Sequence, residues 1–326
     1  ALAGEASGNA QGVLYAKLSP HGTALSGLLV AGYQFALREL AQRLPDDGVA
    51  WSRCGVLQLA GSADEIARQE ALAAQKWPRS FLRPIDALEA STIAGVDVPH
   101  AGLFFERGGW VHPPALCAAF ARHERIRVTT AFDALRLERL SSGRWSVASR
   151  NGTSVDAAIV VLAAGEDARA FAESAHLPTH VIRGQLTHLP AIGDGARLAT
   201  VLCGEGYVAP ARSGIHCLGA TFGIRDARIE VRAEDNQSNF DLLHALSPQL
   251  WKAFAQTIGD PRGLPGRAAL RCVAPDYLPI AGPLTDEAVF AQRYARLSKD
   301  ATTRFDGDAP WLDGLFVSVA HGSRGL

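Results

Sequence analysis

The run Ala157-Ala158-Ile159-Val160-Val161-Leu162-Ala163-Ala164-Gly165 constrains this chain more than any other segment. It has no polar side chain and finishes on three small residues, the pattern of a fully buried parallel strand that ends against a ligand. Strand-like segments surround it: 127–130, 132–138 and 144–149 before it, then 180–222 in the manner of an antiparallel sheet, and 267–273 and 314–320 near the end. Cys54 to Ala60 and Leu103 to Glu106 read as two more strands. The spacing of Leu25, Leu28, Leu29, Phe35, Ala36 and Leu40 predicts one buried helical face ending before Pro45. Ser62-Ala63-Asp64-Glu65 reads as a capping box, hydroxyl and carboxylate each satisfying the other's free backbone donor, and starts a helix reaching about Gln75. Two further helices are expected over about 233–246 and 248–258. The chain has neither an internal repeat nor a low-complexity linker, so two lobes are expected to interleave rather than follow in series.

A length of 326 residues with 48% hydrophobic and 20% charged residues allows one large or two medium domains with a real core. The formal charge of -1 leaves no general excess of cations to displace the counterions around a polynucleotide, so any such contact must be a local patch. Arg225, Arg228 and Arg232 offer one, but they alternate with Asp226, Glu230 and Glu234, and a solvated charged face explains them as well. Cys54, Cys117, Cys203, Cys217 and Cys272 are odd in number, scattered and free of any C-x-x-C pair, which argues against a disulfide framework and a zinc site and for a reducing cytosol. The most apolar helical stretch, around 24–37, is interrupted by Ser26, Gly27, Gly32 and Gln34 and falls short of the roughly 20 residues a bilayer span needs. No membrane anchor or signal peptide is expected. Methionine is absent and the chain opens at Ala1, so a native start is not expected there.

Several segments carry a resemblance. They are Ala6-Ser7-Gly8-Asn9-Ala10-Gln11-Gly12; Gly102-Leu103-Phe104-Phe105 with Gly109-Trp110-Val111-His112-Pro113; and Arg183-Gly184-Gln185-Leu186-Thr187. Further on come Gly206-Tyr207-Val208-Ala209-Pro210, Arg271-Cys272-Val273-Ala274-Pro275-Asp276-Tyr277-Leu278-Pro279 and Gly322-Ser323-Arg324-Gly325-Leu326. In order and spacing this set resembles the C-terminal domain of the MnmC family of tRNA wobble-uridine modification enzymes. More broadly it is similar to the D-amino-acid oxidase and glycine oxidase superfamily. The resemblance implies a mixed α/β (α+β) fold in which a Rossmann-like FAD-binding domain, over 1–50, 101–178 and 266–326, interleaves with an antiparallel-sheet substrate domain over 51–100 and 179–265. It implies FAD, and oxidation at a CH–NH group that removes the carboxymethyl group from 5-carboxymethylaminomethyl(-2-thio)uridine of tRNA as glyoxylate. It also implies a methyltransferase domain or partner upstream and a cytoplasmic setting. A free glycine, sarcosine or D-amino-acid oxidase on the same fold is the alternative. The superfamily's G-x-G-x-x-G occurs nowhere in 1–326, so the chain is expected to begin after that motif and, at the other end, to stop before a closing helix.

The same resemblance assigns roles. Arg271 matches the clamp for a substrate carboxylate, with a structural ion pair in the sheet as the alternative. Tyr207 assists through its hydroxyl, or is a core residue. Arg183, followed by a glycine that admits close approach, is placed near the flavin ring or substrate, or else caps a strand end. Ser7, Gly8, Asn9, Gln11 and Gly12 wrap the flavin side of the pyrophosphate; Ala163, Ala164 and Gly165 give a second close approach; Phe132 meets adenine through its backbone. His321, Gly322, Ser323, Arg324 and Gly325 meet the flavin pyrimidine. No metal is expected, since His112, His188 and His321 have no ligand spacing and read as structural histidines.

Overall fold

The computed structural model describes residues 2–323; Arg324 and Gly325 lie outside the described residues. The apolar run does form a parallel strand: Val160–Leu162 pairs with Trp311–Val319, Leu162 opposite Val317. Ile280–Thr285 flanks the latter antiparallel. The run is not fully buried, however. Its outer edge has no partner strand among the described residues, and Ile159 and Val161 are 63% and 56% exposed. Side chains alternate across a strand, so Leu162 and Val160 enter the core with Val317 and Leu315 while their neighbours do not. Apolar composition specified a strand but not how many of its sides are covered.

The larger sheet has nine strands and is built around His180–Pro190. Gly266–Val273 runs antiparallel along one side of that strand, and Ile215–Gly219 along the other. From there the sheet continues through Tyr207–Val208, Val201–Cys203, Val56–Leu59, Gly102–Phe105 and Arg83–Ile85. One face, with Leu57, Leu59, Phe104, Leu202 and Leu218, is packed by the helices Ala233–Leu246 and Pro248–Ile258. Both helices fall on their expected spans. The second starts where Ser247 accepts from Leu250 N and Pro248 occupies the first turn, where a missing N–H costs nothing. The opposite face, with Val56, Leu103, Phe105 and Val201, is partly covered by helix Ala24–Arg43.

Three expectations are corrected here. In helix Ala24–Arg43 the buried stripe is Ser26, Tyr33, Leu37 and Leu40, while Leu28 and Phe35 are 54% and 57% exposed. The helix is apolar almost all round, and nothing local fixed the phase of its stripe. Ser62 does cap helix Ala63–Ala73, but the Glu65 carboxylate accepts from Arg68, Gln58 and Gln69 instead of returning to the cap. Residues 127–130 form no strand; the small antiparallel sheet begins at Ala134–Arg139. Gly102–Phe105 and Gly266–Val273 both belong to the nine-stranded sheet.

Candidate active site

Register decides which side chains share a face of the large sheet. Arg271 stands opposite Ile182, two residues along the strand and so on the same face as Gly184, whose bare backbone receives its guanidinium: a Cβ on Gly184 would lie 2.4 Å from Arg271 Nη1. The same guanidinium sits 4.7 Å from the centre of the Phe222 ring. Arg271 Nη1 is buried without a hydrogen-bond partner among the described residues. Burial lowers the Arg271 pKa, opposed only by nearby Tyr207. A desolvated cation without a counter-charge is costly, and the chain keeps one here beside an aromatic ring. The ion pair weighed as an alternative for Arg271 is absent among the described residues.

Tyr207 lies on this face as well, because Gly219 pairs with both Leu186 and Tyr207. Burial raises its phenol far above the usual range, with Arg271 pulling the other way, so the hydroxyl is a neutral donor at any working pH. The structure thus brings Arg271 and Tyr207 onto one face of the sheet, close enough for each to influence the other's charge.

Arg183 is corrected. It alternates onto the opposite face, under helix Ala233–Leu246, and is 1% exposed. It forms an ion pair with Asp235 and donates to the carbonyls of Arg228 at 2.8 Å and Glu230 at 2.5 Å and to Gln185 Oε1 at 2.7 Å. With its donors committed, it touches neither the Arg271 face nor anything bound there; it fastens the 225–232 segment to the sheet. The glycine after it does permit a close approach, but the approaching group is Arg271.

Gln11 is corrected likewise. It is fully buried, its amide donating to Pro210 O at 2.8 Å and accepting from Cys217 N at 3.3 Å, so it ties the opening segment to the large sheet. Of its neighbours, Ser7 is exposed, Gly8 lies in the short 3-10 turn Ala6–Gly8, and Gly12 begins the strand Gly12–Leu14. Asn9 Oδ1 accepts from Arg267 Nη1 at 2.7 Å, and Arg267 also donates to Gly4 O at 2.9 Å and to Glu5 O. Sequence reasoning passed over Arg267. Its signal, a spacing of four from Arg271 that spans two repeats of the pleat and keeps both on one face of one strand, becomes visible only once that strand is placed.

The remaining expected residues gather at the carboxyl ends of the two parallel strands. Ala163, Ala164, His321 and Ser323 are exposed there, and Gly165 and Gly322 take positive φ of 59° and 57°. Gly322 N donates to Cys272 O at 2.9 Å and His321 bridges Val273, so this turn is joined to the residues next to Arg271. Small exposed side chains at the ends of parallel neighbours fit a dinucleotide. Phe132 is half-buried in the irregular stretch before Ala134–Arg139.

His112 and His321 have structural surroundings, while His188 Nε2 is buried without a partner among the described residues. His112 Nδ1 caps helix Pro113–Ala121, and His321 Nε2 lies 3.1 Å from Ser318 Oγ. Among the described residues no group of three His, Cys, Asp or Glu is placed to hold a metal ion, and all five cysteines are free. Arg228 and Arg232 both pair with Asp226, lowering its pKa. Among the described residues, no helix is long and apolar enough to cross a membrane.

Comparison with known proteins bears on this geometry. The family model described as FAD dependent oxidoreductase matches residues 1–326. The chain is 47% identical over 326 residues to the tRNA 5-methylaminomethyl-2-thiouridine biosynthesis bifunctional protein MnmC of Chromobacterium violaceum, covering 100% of this chain and 49% of that protein. It is 48% identical to the protein of the same name from Pseudomonas syringae pv. tomato, with the same coverage. The chain thus spans about half the length of the curated relatives it matches. Among solved structures, glycine oxidase from Geobacillus kaustophilus superposes with a TM-score of 0.71 at 19% identity, covering 99% of this chain and 80% of that one. L-proline dehydrogenase from P. horikoshii gives 0.68 at 14% identity, covering 91% and 74%. These two likenesses establish the fold.

Proposed function

Because the chain belongs to the FAD dependent oxidoreductase family, we propose that it is the part of a tRNA-modifying enzyme that oxidatively removes the carboxymethyl group from 5-carboxymethylaminomethyl(-2-thio)uridine at the wobble position. The products are the aminomethyl nucleoside and glyoxylate. The observation that carries this reading is the guanidinium of Arg271 over the bare backbone of Gly184, its Nη1 buried and without a partner among the described residues. The side group of that nucleoside is a glycine attached through its nitrogen, and its carboxylate gives such a guanidinium two parallel charge-assisted hydrogen bonds. The names of the 47–48% identical relatives supply the tRNA.

FAD, when bound, supplies the two-electron acceptor for the C–H bond beside the amine. Ser7, Gly8 and Asn9, with Ala163 to Gly165 and His321 to Ser323, would hold it. On the substrate side, Arg271 fixes the acid end and so sets where the adjoining methylene lies. Tyr207, kept protonated, donates to the same carboxylate. Water adds to the oxidised carbon–nitrogen bond and releases the two products. The lobes then divide as 1–50, 106–178 and 274–323 for the dinucleotide and 51–105 and 179–273 for the substrate. The other half of the bifunctional protein would carry the methyltransferase, in the cytoplasm.

The test uses the full-length protein loaded with FAD and tRNA from a strain lacking it. Conversion of the carboxymethylaminomethyl nucleoside with stoichiometric glyoxylate is the expected result. Turnover of free glycine or sarcosine with the tRNA nucleoside untouched would instead identify a free amino-acid oxidase.

A further inference from the structure

The ring that covers Arg271 is itself uncovered. Phe222 is 61% exposed although one side of it is occupied by the guanidinium 4.7 Å away. It sits at the start of a segment whose apolar side chains are turned outward: Ile224 is 68% and Ile229 56% exposed. Isolated exposed apolar residues are ordinary, but a run of them beside a binding group marks a contact surface. The segment is not loose. Gly223 and Ile224 pair with Arg183 and Ile182, Arg183 holds the carbonyls of Arg228 and Glu230, and Gln185 exchanges hydrogen bonds of 2.8 Å with the backbone of Arg232 in both directions. A buried network on the far side of the sheet thus fixes an aromatic ring in solvent at the mouth of the carboxylate clamp.

We propose that the exposed surface of Phe222 is a stacking platform for a pyrimidine ring of the substrate. This rests on the function proposed above and names the feature that selects a nucleotide over a free amino acid. Four single bonds near 1.5 Å separate the carboxyl carbon from the pyrimidine ring in that side group, an extended reach of about 5 Å, comparable to the separation of guanidinium and Phe222. An acid held by Arg271 therefore leaves its base within reach of the ring. Aromatic side chains serve unpaired bases in this way because every base has a π face. A free amino acid gripped at Arg271 has nothing to lay on Phe222.

The experiment compares Phe222→Leu and Phe222→Trp with the wild type in the full-length, FAD-loaded protein, on undermodified tRNA and on sarcosine. Leucine keeps apolar bulk and removes the π face. The expected loss in kcat/KM on tRNA is about 5- to 150-fold, mainly in KM and at least five times the loss on sarcosine. Tryptophan restores it, and its added fluorescence is quenched when tRNA binds. Equal losses on both substrates, or none on tRNA, overturn the platform and leave Phe222 as packing for Arg271. A wild type that oxidises sarcosine but ignores tRNA overturns the proposed function itself, whatever Phe222 does.

Discussion

Arg183 and Arg271 are carried by adjacent, antiparallel strands and point to opposite faces of one sheet, and their surroundings separate structure from chemistry. Arg183 has a carboxylate, two carbonyls and an amide; Arg271 has a glycine backbone, a phenyl ring and no acid. Replacing Arg271 by Ala removes hydrogen bonds to a charged group, worth roughly 1.5–3 kcal/mol, so kcat/KM falls about 10- to 150-fold. Flavin absorbance after gel filtration should stay at the wild-type level; loss of the flavin would place Arg271 in cofactor retention instead. Gly184→Ala probes the same clamp from beneath. Its φ is not positive, so alanine is conformationally allowed, and the clash falls on the movable Arg271 head. KM for the acid substrate should rise by about an order of magnitude, since a displaced fork loses most of a bond worth ~1.5 kcal/mol, with an unchanged melting temperature. From sequence, Arg271 and Tyr207 were reachable through family resemblance. Phe222 and Arg267 were not, because their meaning depends on cross-strand neighbours that no local spacing encodes.

At the scale of elements, local chemistry was legible where it was self-contained. Ser247-Pro248 marks a helix start by its own donors and acceptors, and the helix follows. Equivalent signals at Asp86 and Gly95 bound helix Ala87–Ala94, Asp86 accepting from Glu89 N and Gly95 turning left-handed, though the reading passed over them. Segment 127–130 failed for the opposite reason: β-branched residues favour a strand only when a partner pairs with it, and none does among the described residues. The element with most at stake is the join between the large sheet and helix Ala233–Leu246. Asp235→Ala leaves the Arg183 cation buried without its acid, which should destabilise the fold by on the order of 3 kcal/mol. Chemical denaturation measures this. A change below half that value would mean that the carbonyls of Arg228 and Glu230 satisfy Arg183 alone.

Across the whole molecule, burial lowers the pKa of His112, His188 and His216 together. In the unfolded chain each imidazole titrates near 6.5, so below that pH the unfolded state binds more protons than the native one. Stability is therefore fully present above about pH 6.5 and declines as pH falls toward the depressed native values. Melting temperatures measured from pH 8 down to 5 should be level at first and then drop. A flat profile would show that all three imidazoles charge freely in the fold. The mixed α/β architecture was legible, since strand-rich and helix-rich stretches alternate without a linker. Which strands share a sheet was not, because Gly102–Phe105 and Gly266–Val273 join the nine-stranded sheet by pairing and not by composition.

The strand Gly266–Val273 has one further consequence. It bears Arg271, and its last two residues hold the turn at His321 and Gly322, so the grip on the acid and the turn proposed to hold the flavin share a single rigid gauge. Such a gauge measures length. An amine carrying a carboxyethyl arm, longer by one methylene, overshoots it and should be oxidised at least tenfold more slowly than its carboxymethyl counterpart, within the ~1–3 kcal/mol that one methylene commands in a fitted pocket.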